Sequence, residues 1–248
     1  MTDSKDARIA ALESQLAQLR SEMQELTARL SHDLRAPLRH VTSFATLIKD
    51  EAGPALNAEA QSFLSQITDS ARHMGDMLDG LRELSRVGTV PLQLQAVSLL
   101  DLILEAQRAL QTQTSDRAVQ WSLPADAPQR VTDAALLRQA MVQVLGNAIK
   151  FTSRCEAPQI SVEVEGGGVH DSSIVITVRD NGAGYNPRQE AQLFKPFSRL
   201  HSTSQFPGLG MGLALTRKIM QRLGGEATLQ CNEGAGCSAI LTLPGAPT

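Results

Sequence analysis

Ser31-His32-Asp33-Leu34-Arg35-Ala36-Pro37-Leu38 sets an imidazole beside a carboxylate inside a helical pattern, with a proline one turn further on. Upstream of it, Ile9, Leu12, Leu16, Leu19, Met23, Leu26 and Leu30 recur in alternating steps of three and four, the narrow seam of a coiled coil. The next apolar residue is Leu34, so the steps become four and four, a stutter that alters supercoiling where the imidazole stands. His32 is two residues from both Leu30 and Leu34, about 200° around the helix from each, and is expected to face water. Pro37 lacks an N–H, which frees the Asp33 carbonyl and predicts a kink.

The pattern continues through Leu38, Val41, Ala45 and Ile48 to Gly53-Pro54, which break the helix. Asn57 then caps a second helix carrying Phe63, Ile67, Met74, Met77, Leu81 and Leu84 on one face. One such hairpin has too little apolar surface to close a core, but two together make a four-helix bundle, so a homodimer is expected.

At Val87-Gly88-Thr89-Val90-Pro91 the periodicity stops. The expected organisation is a coiled coil over 1–30, a helical hairpin over 31–86, a linker and first strand over 87–97, and an α/β unit over 98–248. In that last unit Ser98 and Asp101 open a helix reaching about Gln113, and residues 119–123 read as a short strand. Asp133 begins a helix with paired apolar positions on one side and Gln139, Gln143, Asn147 and Lys150 on the other. Ile160, Val162 and Val164, then Ile174, Ile176 and Val178, alternate as a hairpin around the glycine run 166–168. A long polar segment from Asp180 to Met211 precedes a helix from Gly212, and two strands near 227–231 and 238–243 close the chain. This is an α/β sandwich with a mostly antiparallel sheet, and loops as long as 180–211 are often functional lids.

With 248 residues, 42% hydrophobic and 20% charged, the chain suits two small domains, and a net charge of −3 gives no reason to expect a nucleic-acid partner. Cys155, Cys231 and Cys237 are an odd number without C-x-x-C spacing, so neither a disulfide framework nor a zinc site is expected and a reducing compartment follows. No membrane span or signal peptide is evident, and the cytoplasm is the expected location.

Asp180-Asn181-Gly182-Ala183-Gly184 alone is an ordinary turn sequence, and Gly208-Leu209-Gly210-Met211-Gly212 alone is a weak sign of an anion held at a helix N-terminus. The loop does not follow a first strand as in dinucleotide folds, and no Gly-Lys-Ser/Thr follows the glycines. In combination the stretches are more specific. The His32 stretch resembles the phosphoacceptor box of sensor histidine kinases, Asn147-Ala148-Ile149-Lys150-Phe151-Thr152 their asparagine box, and Asp180 to Gly184 their first glycine box. Leu193-Phe194-Lys195-Pro196-Phe197-Ser198-Arg199-Leu200-His201 resembles their phenylalanine box, Gly208 to Leu215 the second glycine box, and Gly234-Ala235-Gly236 the final glycine turn. The phenylalanine-to-glycine stretch is most similar to the phytochrome-type subgroup.

The resemblance implies a dimerisation and phosphotransfer hairpin followed by an ATP-binding domain of the gyrase and Hsp90 (GHKL) type. Asp180 would accept from the adenine amino group, with Gly182 and Gly184 shaping its turn. Asn147 would give an oxygen to Mg²⁺, with Gln143 beside it. Lys150 and Arg199 would face the phosphates, and Gly208, Gly210 and Gly212 would present lid backbone to them. His32 would be phosphorylated from ATP, with Asp33 taking the other ring proton, and would pass the phosphate to an aspartate on a response regulator. An upstream sensor domain or protein is implied but not visible in residues 1–30, and the alternative function is a non-catalytic dimeric ATP-binding adaptor for response regulators.

Two positions depart from the family pattern. Gln143 stands where many of these kinases carry an asparagine and the related ATPases a water-activating glutamate; an amide is no general base, which favours transfer over hydrolysis. Ala36 stands where phosphatase-competent members carry Thr or Asn, so weak regulator phosphatase activity is expected. His40 and His73 read as solvated helix histidines, while His170 and His201 fall in loops, His201 within reach of phosphate.

Overall fold

The computed structural model describes residues 2–114, 117–167, 173–202, 204–231 and 234–245. The chain divides into two compact units, 1–89 and 90–248.

The first unit is a helical hairpin. Helix α1 spans Thr2–Ala52 and continues through Pro37. A 3-10 turn at Gly53–Ala55 reverses the chain, and α2 spans Ala58–Thr89, passing through Val87 and Gly88 where the sequence suggests a linker. Asn57 caps α2, its Oδ1 accepting from Ala60 N at 2.8 Å, and the Gln61 amide donates to Gly53 O and Leu56 O across the turn. Small side chains let the helices approach: Ala45 and Ala71 are buried. Leu34, Val41, Phe44, Phe63, Ile67 and Met74 are more than 40% exposed, an apolar area larger than one hairpin covers.

The second unit begins with β1 (Leu94–Ser98), followed by α3 (Leu99–Ala109), β2 (Gln120–Ser122), β3 (Gln129–Asp133) and α4 (Ala134–Phe151). Strands β4 (Gln159–Gly166) and β5 (Ile174–Asp180), helix α5 (Gly212–Arg222) and strands β6 (Glu226–Cys231) and β7 (Cys237–Leu243) complete it. Strands β2, β4, β5, β7 and β6 form one sheet in that order, antiparallel except for the parallel β2–β4 pair, and β1 pairs with β3 as a separate antiparallel ribbon.

Helices cover one face of the large sheet. Ile160, Val162, Ile174, Ile176, Leu241 and Leu243 from alternate strand positions meet Leu99, Ile103, Leu137, Met141 and Leu145 from the helices in one core. On the intervening positions Arg179 and Glu163 pair at 3.3 Å, as expected of a face turned from that core. Both expected caps form: Ser98 Oγ accepts from Asp101 N, and Asp133 Oδ1 from Leu136 N at 3.0 Å. Asp133 also accepts from Gln93 N at 2.9 Å through Oδ2, so one buried carboxylate starts α4 and fixes the strand linker.

Strand β3 has no counterpart in the sequence reading, and its burial explains why. Val131 is exposed while Thr132 and Asp133 are buried, the reverse of an apolar alternation. The cysteine reading is corrected as well. Cys231 and Cys237 stand directly opposite across β6 and β7, with Cα atoms 4.3 Å apart, and form a disulfide. Six residues of separation carry no such signal until the hairpin register is known. The glycine run is described as far as Gly167; Gly168 and His170 lie outside the described residues.

Candidate functional site

In the first unit, Ser31 is buried and its Oγ donates back to Thr27 O at 2.7 Å, which turns the next residue outward. The His32 side chain is 87% exposed. Its Nδ1 lies 3.1 Å from Asp33 Oδ1, so the sideways reach between helical neighbours is achieved. A carboxylate only accepts, so Nδ1 carries the proton and Nε2 holds a free lone pair toward solvent. One turn on, the Arg35 guanidinium pairs with Asp79 of α2 and ties the two helices beside this site.

In the second unit, the polar stripe of α4 meets the glycine loop. A methyl placed on Gly212 would stand 2.8 Å from Gln143 Oε1 and 3.5 Å from Asn147 Nδ2, and one on Gly208 would stand 3.5 Å from Lys150 Nζ. Gln143, Asn147 and Lys150 thus face residues 208–212 and the N-terminus of α5. Burial lowers the Lys150 pKa below its ordinary value, and the Arg199 charge lowers it further. Two cations that repel each other beside a helix N-terminus suit a polyanion.

Gly210 is required by space as well as conformation. It has φ +74°, and a methyl there would collide with Ser198 O of the phenylalanine box. Gly210→Ala is expected to cost about 1–2 kcal/mol from the left-handed backbone alone, with the collision displacing residues 197–199. Thermal unfolding compared with Gly234→Ala checks this, since Gly234 has a similar φ of +73° but open space around it.

Asp180 ends β5. Its Oδ1 accepts from Gly182 N at 2.8 Å, and burial raises its pKa to about 6 although the N–H groups of Gly182 and Cys237 pull it back. Asn181 braces the turn, accepting from Gln159 N and donating to Ala157 O, each at 2.8 Å. Gly182 has no room for a side chain: a methyl would lie 2.7 Å from Phe151 O. The turn therefore packs on the C-terminal end of α4, one residue beyond Lys150.

Residues 22–89 match the family described as the His Kinase A (phospho-acceptor) domain, and residues 132–247 that of the histidine kinase-, DNA gyrase B-, and HSP90-like ATPases. The chain is built as a two-component histidine kinase core. The chain is 28% identical over 235 residues to the cell-division control histidine kinase PdhS of Brucella ovis and, at the same identity, to that of Brucella abortus. The matches cover 89% of this chain and 22% of each relative, so the chain spans less than a quarter of their length. Full-length ShkA, solved in complex with AMPPNP, shares the fold with a TM-score of 0.65 and 24% identity over 90% of this chain and 46% of its own. Acinetobacter baumannii AdeS does so with a TM-score of 0.60 and 18% identity over 87% of this chain and 98% of its own.

The long segment 180–211 has more structure than its polar sequence suggests. Asn186 caps a 3-10 turn at Pro187–Gln192, Phe194 lies 3.6 Å beneath the Arg217 guanidinium, and Phe197 takes a left-handed φ of 62°. Arg199 donates to Phe206 O at 3.0 Å. His201 Nε2 lies 2.8 Å from Gly184 O, and its ring packs against Phe151, over which Lys150 Nζ also sits. The sequence reading also missed Phe151, Phe206 and Arg217, whose ring and cation contacts bridge segments far apart in the chain. Among the described residues no helix is long and apolar enough to cross a membrane.

Proposed function

We propose that this chain is an ATP-dependent protein-histidine kinase that autophosphorylates His32 and passes the phosphoryl group to an aspartate on a response-regulator receiver domain. The observation that carries the reading is the convergence of Gln143, Asn147 and Lys150 on the glycine loop, with Arg199 beside Lys150. Membership of the family and the ATPase-type second domain support it.

Asp180 accepts from the adenine amino group through a half-buried carboxylate, which selects adenine over a base presenting a carbonyl there. Gly182 and Gly184 hold the turn open, while the N–H groups of Gly208, Gly210 and Gly212 with Lys150 and Arg199 take up phosphate charge. The amide oxygens of Asn147 and Gln143 would hold Mg²⁺, which supplies further neutralisation of phosphate charge. At the other site, Nε2 of His32 attacks the γ-phosphorus; an N–P bond forms, the bond to the bridging oxygen breaks and ADP leaves with its electron pair. Asp33 holds the Nδ1 proton and stabilises the positive ring. Gln143, lacking basicity, leaves water unactivated.

The exposed apolar side chains of α1 and α2, with the seam from Ile9 to Leu30, support a homodimer built on a coiled coil and four-helix bundle. We assign it to the cytoplasm, under an upstream sensor and in the phytochrome-type subgroup. Incubation with γ-labelled ATP and Mg²⁺ tests the kinase reading: an acid-labile, alkali-stable label is expected, and absence of label with ATP bound would favour an adaptor.

Ala36, four residues after His32, offers only a methyl where a polar group would orient water on the regulator's phosphoaspartate. Regulator dephosphorylation by the wild type is expected to be slow, and Ala36→Thr to raise it about tenfold. The decay of pre-phosphorylated regulator with and without the kinase measures this; rapid decay with the wild type would sink it.

A further inference from the structure

The roles above leave His201 unused. Its Nε2 lies 2.8 Å from the Gly184 carbonyl oxygen, which can only accept, so Nε2 is the donor. The ring also closes a three-membered aromatic cluster. Its centroid is 5.5 Å from Phe151 and 5.1 Å from Phe206, and those two rings are 5.2 Å apart. Phe206 is only 6% exposed, so the cluster is an inner contact of the domain.

The partners come from three places in the chain. Phe151 is the last residue of α4, directly after Lys150. Gly184 ends the turn that begins at Asp180, and Phe206 lies in the lid, where its carbonyl receives the Arg199 guanidinium. One imidazole therefore ties together the segments that carry Lys150, Asp180 and Arg199. Phe194 ties the lid to Arg217, and among the described residues the His201 hydrogen bond reaches the turn that bears the half-buried Asp180 carboxylate.

We propose that His201 is a positioning residue that sets the phosphate lid in register with the adenine-side turn. This deepens the proposed function and rests on nucleotide binding at this site. A segment as long as 180–211 loses much conformational freedom on closing around a ligand; a tether made within the fold, His201 on Gly184, removes part of that cost from binding. The bond touches no reacting atom, so its loss should appear in affinity more than in turnover.

Two substitutions separate the donor from the ring. His201→Phe keeps the aromatic cluster and removes the hydrogen bond; His201→Gln keeps an N–H donor and removes the ring. In ligand-free full chain, hydrogen exchange across 194–206 is expected to speed up about tenfold in His201→Phe, with the α4 amides unchanged. In autophosphorylation the same variant should raise the ATP KM about tenfold while kcat changes far less, and His201→Gln should recover part of the KM. Wild-type exchange and wild-type KM in His201→Phe would overturn the proposal. So would a fall in kcat at constant KM, which would move His201 into the chemistry. If the wild type bound no ATP while His201→Phe still loosened the lid, the nucleotide reading would fail and the tether would stand.

Discussion

His32→Ala is expected to abolish phosphorylation of the chain, lowering the label transferred from ATP by at least a thousandfold, while leaving nucleotide affinity within twofold of the wild type. The first effect follows from the geometry at α1. Asp33 fixes the imidazole tautomer that leaves Nε2 free, and the side chain is exposed enough to meet a phosphoryl donor. His40 and His73 are also exposed on these helices, but neither has a carboxylate at the adjacent sequence position. The second effect follows from the division into two units: the residues proposed to hold nucleotide all lie within 90–248. Acid-labile label measured beside calorimetric ATP binding checks both. Label retained in the variant would refute His32 as the acceptor, and lost binding would show that the substitution reaches beyond its own unit.

Asp180→Asn should separate stability from function. Burial raises the carboxyl to about 6, well above the ordinary carboxylate range, so the folded chain holds this proton more tightly than the unfolded chain does. The penalty for burying the charge is absent below about pH 4, grows as pH rises toward 6, and is complete above it. At pH 7.5 it amounts to roughly 3 kcal/mol. An asparagine keeps the oxygen that accepts from Gly182 N and removes the charge. The ligand-free variant is therefore expected to be more stable by about that amount in urea unfolding at pH 7.5, an advantage that fades toward pH 4. ATP affinity should fall about a hundredfold, because a charged acceptor has become a neutral amide. In the wild type, affinity should weaken about tenfold between pH 7 and pH 5 as the carboxylate takes up its proton. Unchanged affinity in the variant, or a flat pH profile in the wild type, would remove Asp180 from nucleotide recognition.

Together these variants decide between the kinase and the adaptor. An adaptor that only binds nucleotide would be sensitive to Asp180→Asn and indifferent to His32→Ala, and a kinase is sensitive to both.

The helices, the β4–β5 hairpin and the ordered boxes could all be read along the chain, because each depends on residues a few positions apart. The 3.6-residue spacing of Leu136, Leu137, Ala140, Met141, Val144 and Leu145 marks the buried face of α4, and Gln143, Asn147 and Lys150 then fall on its polar side. Ser98, Asp133 and Asn57 announced their caps by the same short-range logic. Strand β3 stayed hidden because a two-stranded ribbon buries Thr132 and Asp133 and exposes Val131, leaving no apolar alternation.

By itself, the sequence determined the ordered boxes and with them the candidate site residues, that His32 faces outward from its helix, and the order in which the helical and α/β parts follow. Only the tertiary structure decided what meets what: Gln143 and Asn147 against Gly212, a carboxylate buried enough at Asp180 to hold its proton to about pH 6, Cys231 opposite Cys237, and His201 on Gly184. Periodicity and capping are local properties of the backbone. Burial, strand register and contacts between distant turns exist only once the sheet has paired and the helices have closed over it.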